Sequence, residues 1–193
     1  MSTPMWAIDL EGNGASPPEI VEIAIVELRG LDLTGRSKCW RLKPSGGISP
    51  MASHIHGIWE RDVENAPEWE DVADDVLMWI EDTPIVGHNV RIEYDLLSKM
   101  FEDWCPPAAF DTLRLARKLL PAQEKYGLER LGVALNLHQA AQSATGAAPH
   151  SALYDATLAG MLMGHLLRPL SEEKRKEALV AADILDFRQG SLL

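Results

Sequence analysis

The chain has 193 residues and a formal net charge of −11, and hydrophobic residues make up 46% of it. This length and mix fit one globular domain with a short extension, and no apolar run approaches the roughly 20 residues that a membrane span needs. The negative charge argues against a protein that coats nucleic acid by charge neutralisation, but not against an enzyme whose bound metal ions meet phosphates.

The N-terminus lacks a basic region followed by an apolar stretch, so we expect no signal peptide. The two cysteines, Cys39 and Cys105, lie far apart and form neither a CxxC zinc pattern nor a disulfide framework. Isolated thiols are typical of a reducing compartment, so the sequence favours a cytoplasmic protein.

The first third of the chain predicts three strands in an antiparallel meander. Residues 5–10 form a short apolar run and residues 20–28 are rich in β-branched residues, while residues 38–43 fit a third strand. Glycine and proline separate these segments. Residues 44–58 then predict a loop with a short helix at about 50–55.

The rest of the chain alternates short strands with helices. Apolar residues at helical spacing predict helices over 67–81, 89–102, 112–120, 128–137, 151–167 and 171–187. Strands are predicted at 84–87 and at a run ending with Phe110, and the small polar residues of 138–149 predict a loop. The pattern indicates an α/β fold with a mixed central sheet (antiparallel meander plus parallel strands) flanked by helices. We expect a domain over 1–168 and a C-terminal helical extension over 169–193.

Two carboxylates close the first predicted strand. Asp9 and Glu11 are two residues apart, so on a strand their side chains face the same side. Two like charges held close are costly without a cation between them, and clusters of oxygen ligands bind hard cations such as Mg²⁺. The alternative is that Glu11 is a simple turn residue, because a DxE pair alone is weak evidence for a metal site.

A second acidic position lies near the C-terminus, where Asp155 falls at the start of an otherwise apolar helix. A carboxylate buried in such a helix needs a partner, although an exposed polar stripe is the alternative. His150 precedes it by five residues, and an imidazole with a pKa near neutrality is suited to proton transfer.

Two acids compete for a role in the middle segment. Glu93 and Asp95 are two apart on a predicted helix, so they point to nearly opposite sides. Glu93 shares its side with Leu97 and Met100, which predicts burial, whereas Asp95 shares its side with charged residues. Glu93 is therefore the candidate metal ligand, and Asp95 is predicted to lie on the surface.

Together these segments resemble the DEDDh 3′→5′ exonucleases, the superfamily of the proofreading epsilon subunit and ribonuclease T. The resemblance covers about residues 5–168 and depends on the order and spacing of short motifs. These are Asp9-Leu10-Glu11 with Gly14, Val21-Glu22-Ile23-Ala24, His56-Gly57-Ile58, Gly87-His88-Asn89 through Leu97, Phe110-Asp111-Thr112, and His150 with Asp155. Gly12 stands where the family usually has threonine, and Glu93 stands where it usually has aspartate.

The resemblance implies a ribonuclease H-like fold and a two-metal hydrolysis of phosphodiester bonds at 3′ ends, which releases nucleoside monophosphates. The implied ligands of two Mg²⁺ or Mn²⁺ ions are Asp9, Glu11, Glu93 and Asp155, with His150 as general base. The residues expected near the terminal nucleotide are Gly12, Asn13, His56 and Asn89. The expected partner is a nucleic acid with a 3′ end, in single-stranded form, and no membrane is expected.

Two alternatives remain open at this point. The departures at Gly12 and Glu93 are compatible with a catalytically degenerate module of the same fold that binds nucleic acid or a protein partner. The pair His54 and His56 would face together on a strand and suggests a mononuclear metal hydrolase, although nearby glycine and proline favour a loop.

Two predicted surface features are weaker evidence of function than the motifs. Arg114, Arg117 and Lys118 share one predicted helix face, which is either a solvated surface or a basic patch for phosphates. The predicted loop 138–149 and the C-terminal tail are candidate surfaces for a homodimer contact.

Overall fold

A mixed five-stranded sheet forms the centre of the molecule, and the computed structural model describes residues 4–186 of the chain. The strands are β1 (Pro4–Gly12), β2 (Ile20–Arg29), β3 (Asp32–Arg41), β4 (Ile85–Gly87) and β5 (Ala109–Asp111). Their order is β3-β2-β1-β4-β5, with β1, β2 and β3 antiparallel and β4 and β5 parallel to β1. The predicted α/β fold, a meander continued by parallel strands, is confirmed.

Helices cover both faces of the sheet. In chain order they are α1 (Pro50–His56), α2 (Glu60–Val63), α3 (Trp69–Ile80), α4 (Arg91–Met100), α5 (Thr112–Leu119), α6 (Leu128–Ala134), α7 (His138–Thr145), α8 (Ala152–Leu167) and α9 (Glu172–Ala182). The longest, α8, has 16 residues and packs on β1, β2 and β3. Within residues 4–186, no helix has both the length and the apolar composition needed to cross a membrane.

The two faces of β1 pack against different helices. Trp6 and Ile8 lie in the core with residues of α3 and α4, whereas Ala7 lies in the core with residues of α8. Since side chains alternate along a strand, odd-numbered residues of β1 point towards α8. The next odd positions are Asp9 and Glu11, so the acidic pair faces the same side of the sheet as α8.

A close approach between α8 and the β2–β3 turn fixes the depth at which this helix lies. A Cβ atom at Gly164 would stand 2.5 Å from the carbonyl oxygen of Leu31. A Cβ atom at Gly160 would stand 3.0 Å from Leu33 Cδ2. At Gly164 a larger residue would therefore push the helix outward from a fixed backbone atom, whereas at Gly160 the leucine side chains can move.

The prediction of a loop over 138–149 is wrong, because residues His138–Thr145 form α7. Alanine and glutamine are good helix formers, and the helix ends at Gly146 in the left-handed conformation. Ala141 is buried with Tyr154 and Leu158 of α8. This packing stabilises the helix, but the polar sequence of the segment gives no apolar pattern that would predict it.

Strand and helix ends also differ from the prediction. β3 begins at Asp32 rather than 38, because the chain turns at Gly30 and Leu31, and Gly35 with a φ of 84° lies inside the strand. The last helix ends at Ala182, where Asp183 leaves the helix to pair with Phe110 of β5. Phe187, the final residue of the predicted helix, lies outside the described residues.

The segment after α8 packs on the same core as the rest of the chain. Ala178 and Ala182 of α9 are buried in the cluster that also contains Leu115 of α5. Asp183 Oδ1 accepts a hydrogen bond of 3.0 Å from the Ala109 N–H. The division into 1–168 and 169–193 stays a prediction, because both its outer ends fall outside the described residues.

We expect Gly164→Ala to destabilise the protein. A helix interior gains about 1 kcal/mol when alanine replaces glycine, but overpacking against a backbone atom costs roughly 1–3 kcal/mol. The net result should be a loss of up to about 2 kcal/mol in the free energy of unfolding, measured by urea denaturation. Gly160→Ala is the matched control, because its Cβ meets the movable end of a leucine side chain. A Gly164→Ala protein at least as stable as Gly160→Ala would contradict the account.

Candidate metal centre

Three carboxylates from the two ends of the chain meet at the C-terminal end of β1. Asp9 and Glu11 come from β1, and Asp155 comes from the first turn of α8. One carboxylate oxygen from each residue lies within 4.8 Å of the others, and all three side chains are partly exposed. The oxygens are therefore close enough for one cation to contact all three, and solvent can reach them.

The electrostatics of this cluster are unfavourable without a cation. Burial, and after it the charge of Asp155, raises the pKa of Glu11 to about 8. Burial raises the pKa of Asp155 to about 6, although His150 opposes the shift. Burial and the charges of Glu93, Asp155 and Glu11 raise the pKa of Asp9 well above its ordinary value. These acids resist ionisation together, as expected for a site that a divalent cation would neutralise.

Glu93 supplies a fourth carboxylate from α4. It is only 6% exposed, and its Oε2 is buried without a hydrogen-bond partner among the described residues. Burial raises the pKa of Glu93 to about 8, and Glu93 is the neighbouring charge with the largest effect on Asp9. Buried polar atoms are nearly always paired, so this unpaired oxygen fits a cation that the protein binds.

Asp95 lies on the opposite side of α4, as its position in the sequence predicts. Its side chain is 51% exposed and lies 3.4 Å from Arg91 in an ion pair at the helix surface. The helical periodicity therefore separates the two acids, and only Glu93 points to the carboxylate cluster.

The loop that leads into α4 is held by buried side chains. Asp111 Oδ1 accepts hydrogen bonds from the N–H groups of Asn89, at 2.9 Å, and Leu113, at 2.8 Å. Asn89 adopts a left-handed φ of 68°, and its side chain is exposed. His88 contacts Thr112 Oγ1 through Nδ1 at 2.9 Å, and its Nε2 lies 2.7 Å from the Tyr126 carbonyl oxygen. His88 and Asp111 therefore position this loop, while Asn89 is free to contact a ligand.

His150 lies beside the cluster in a tight turn before α8. Its Nδ1 is 4.0 Å from Asp155 Oδ2, and its Nε2 is 3.9 Å from Glu129 Oε2. These distances are too long for hydrogen bonds, so the half-exposed imidazole can still reorient. The histidine thus lies beside Asp155 without a hydrogen bond to it.

The side-chain polar groups of Asn13 are occupied within its own loop. Its Oδ1 accepts from the N–H groups of Ala15 and Glu19, and its Nδ2 donates to the Gly47 carbonyl. A side-chain contact from Asn13 to a nucleotide would break these bonds. At Gly12, by contrast, an added Cβ would meet Glu19 O and Pro18 Cβ at 3.8 Å, so a small side chain would fit there without a clash.

His56 is buried at the end of α1. Its Nδ1 accepts from the Ile58 N–H at 3.1 Å, and its Nε2 has no hydrogen-bond partner among the described residues. Burial lowers the pKa of His56, which favours the neutral ring. His54 lies two positions away on the same helix and bonds to the Pro50 carbonyl, so it points to another side. The alternative of a metal site on His54 and His56 is wrong, because the pair lies on a helix rather than a strand.

Two acidic residues near the site have no role predicted for them from the sequence. Glu129 faces His150 from α6, and Glu22 of β2 stands opposite Glu11 in the strand register. A charge inside the apolar run 20–28 is a signal that Glu22 has a buried partner. The same signal is given by Glu27, however, so the pattern alone does not select the residue near the site.

Sequence comparisons connect this geometry with known proteins. The family model described as Exonuclease matches residues 6–163 of the chain. DNA polymerase III subunit epsilon of Rickettsia felis is 30% identical over 165 residues, which cover 78% of this chain and 68% of that protein. The 3′-5′ exonuclease DinG of Bacillus subtilis is 28% identical over 174 residues, covering 86% of this chain and 18% of that protein. The chain thus spans about two thirds of the epsilon subunit and less than a fifth of DinG.

A solved structure agrees with these matches. Exonuclease X in complex with 5′ overhanging duplex DNA has 27% identity and a TM-score of 0.72, and the match covers 92% of this chain and 99% of that one. Exonuclease I, at 18% identity and a TM-score of 0.73, shares the fold. The predicted resemblance to the DEDDh exonucleases and the ribonuclease H-like architecture are both confirmed.

The raised pKa values predict how metal-free stability depends on pH. The folded protein keeps protons on Glu11 up to pH about 8 and on Asp155 up to about 6, whereas the unfolded chain loses them near pH 4–5. The folded state thus binds more protons in this window, and its stability falls as the pH rises from 5 to 8. We expect the Tm measured in EDTA to fall over this range, and less steeply in Glu11→Gln.

Added Mn²⁺ should reverse this trend, because the ion competes with protons for the same oxygens. The rise in Tm on adding Mn²⁺ should therefore be larger at pH 8 than at pH 6. Asp95→Asn is the control and should behave as the unaltered protein does. An equal rise at both pH values would show that these carboxylates do not exchange protons for the cation.

Proposed function

We propose, from the premise that this chain belongs to the exonuclease family, that it is a metal-dependent 3′→5′ exonuclease that releases nucleoside monophosphates. The observation that carries the proposal is the convergence of four carboxylates from β1, α4 and α8. No lysine or arginine of the described residues forms an ion pair with any of the four. A cluster of carboxylates without a lysine or arginine partner is suited to bind cations.

Asp9, Glu11, Glu93 and Asp155 would hold the cations. All their donor atoms are carboxylate oxygens, which suit Mg²⁺ or Mn²⁺ rather than softer metals. Two such ions, when bound, supply Lewis-acid stabilisation of phosphate charge and a water nucleophile at neutral pH. Glu93 does not belong to the group of three residues whose carboxylate oxygens lie within 4.8 Å of one another. We therefore assign it a separate contact with the cations.

His150 would act as the general base. Nδ1 is the ring nitrogen on the Asp155 side, so we place proton uptake from the attacking water at that atom. The imidazolium that results would have a carboxylate on each side, since Glu129 lies 3.9 Å from Nε2.

The proposed substrate is the 3′ end of a DNA strand, in the single-stranded form that the family resemblance implies. The epsilon subunit is by name a part of a DNA polymerase, and Exonuclease X was solved in complex with DNA. Asn89 and Gly12 are the proposed contacts for the terminal nucleotide, because the Asn89 side chain is exposed and Gly12 directly follows the metal ligand Glu11. His56 and Asn13 have buried side chains, so we assign them to support of the loops around the site.

We further propose that the protein works in the cytoplasm, which its exposed free thiols at Cys39 and Cys105 would tolerate. A homodimer stays a prediction.

The proposal is tested with a 5′-labelled single strand of DNA, a duplex with a 3′ overhang and an RNA of the same sequence. We expect progressive shortening from the 3′ end in Mg²⁺ or Mn²⁺, none in EDTA, and faster release from single-stranded DNA. His150→Ala should lose about 10²–10⁴-fold in rate while it keeps Mn²⁺ and strand binding. A folded protein that binds the strand and Mn²⁺ but releases no nucleotide would instead favour the degenerate binding module.

Glu93→Gln and Asp95→Asn form a matched pair of neutralising substitutions on one helix. Glu93→Gln removes a buried charge that faces the cations, so we expect a loss of about 100-fold or more in the rate of mononucleotide release. Asp95→Asn removes only an exposed ion pair and should change the rate less than about threefold. The opposite ranking would show that Asp95, and not Glu93, serves the metal centre.

A further inference from the structure

We infer that Glu22 is a positioning residue that ties the N-terminus of α8 to the sheet and so fixes Asp155 in the metal centre. The inference deepens the proposed function and rests on it, because it concerns how the same four carboxylates are held. Glu22 is not itself assigned as a metal ligand.

The contacts of Glu22 connect three elements. Its Oε2 accepts a hydrogen bond of 2.9 Å from the N–H of Ala152, the first residue of α8. Its Oε1 accepts a hydrogen bond of 2.7 Å from Nη2 of Arg41 on β3. The Glu22 side chain is 4% exposed, and its bond to Ala152 is buried. One buried carboxylate therefore joins β2, β3 and the start of α8.

The strand register places this carboxylate next to the metal centre. Glu22 is the partner of Glu11 on β1 and of Arg41 on β3, so the three residues form one row across the sheet. The negative charge of Glu22 contributes to the raised pKa values of Asp9 and Glu11. With both oxygens already hydrogen-bonded, Glu22 is poorly placed to bind a cation as well.

The hydrogen bond from Ala152 to Glu22 fixes the positions of Asp155 and His150, which lie at the start of α8. Asp155 follows Ala152 by three residues in the first turn of the helix, and His150 precedes Ala152 by two. The side chain of Ser151 caps only the N–H of Tyr154, so Glu22 is the side chain that satisfies Ala152. Without it, a buried N–H at the helix start would lose its partner, and the turn that carries Asp155 and His150 would be free to shift.

The test compares Glu22→Met with Glu22→Gln. Both remove the charge, but glutamine retains a carbonyl oxygen that can accept from Ala152, whereas methionine fills the space without an acceptor. We expect Mn²⁺ affinity, measured by titration calorimetry at pH 8, to fall about 10–100-fold in Glu22→Met and less than about threefold in Glu22→Gln. The exchange of the Ala152 amide hydrogen should accelerate at least about tenfold in Glu22→Met alone.

Glu27→Met is the matched control. Glu27 is also a buried carboxylate of β2 bonded to an arginine, but its partners are Arg29 and Thr34 at the far end of the strand. We expect Glu27→Met to lose stability yet to bind Mn²⁺ within about threefold of the unaltered protein. Equal weakening in Glu22→Gln and Glu22→Met would mean that charge alone matters and would overturn the inference.

Ala152→Pro removes the donor of the same hydrogen bond instead of its acceptor. It is the alternative test if Glu22→Met does not fold. It removes the N–H donor but leaves the carboxylate and Arg41 unchanged. Ser151 already has the extended backbone that precedes proline (φ −105°, ψ 141°), and the first helical position accepts proline. We expect about tenfold or greater loss of Mn²⁺ affinity, and unchanged affinity would overturn the inference.

None of these readouts needs a nucleic-acid substrate. A wild-type protein that binds Mn²⁺ but cleaves nothing would refute the proposed function alone. Unchanged Mn²⁺ affinity in Glu22→Met would refute the positioning role alone, whatever the enzyme does to DNA.

Discussion

The mutual repulsion of the carboxylates at the end of β1 is the constraint on which the rest of the structure depends. Asp9, Glu11 and Asp155 present oxygens within 4.8 Å of each other, and burial raises the pKa of each. Such a cluster costs stability unless protons or cations offset it. β1 is the middle strand and pairs with a neighbour on each side. It therefore cannot move to relieve the repulsion between the carboxylates.

Buried hydrogen bonds around the cluster hold the elements that carry these acids. Asp111 fixes the loop before α4 through the Asn89 N–H, and Glu22 fixes the start of α8 through the Ala152 N–H. In both cases a buried carboxylate accepts from a backbone N–H of a functional segment. Backbone bonds of this kind set the position of a helix more firmly than a side-chain contact does, because the N–H has no rotamers.

Local patterns were sufficient for most of the fold. The two-residue period of a strand predicts that Asp9 and Glu11 share a side, and the helical period predicts that Glu93 is buried while Asp95 is exposed. Local patterns did not predict the elements that tertiary contacts stabilise. The polar segment 138–149 forms α7 because Ala141 packs on Tyr154 and Leu158. β3 extends back to Asp32 because it pairs with β2 over that length, although Gly35 lies inside it.

The sequence by itself determined the elements, the acids that face one way, and the family, since these depend on periodicity and on the order of short motifs. Three features required the tertiary structure. Glu93 Oε2 lacks a hydrogen-bond partner within residues 4–186, Glu129 faces His150, and Glu22 bonds a residue 130 positions away. The physical reason is that spacing along the chain fixes the direction of a side chain relative to its own element. Which other element lies there depends on how the sheet and helices pack.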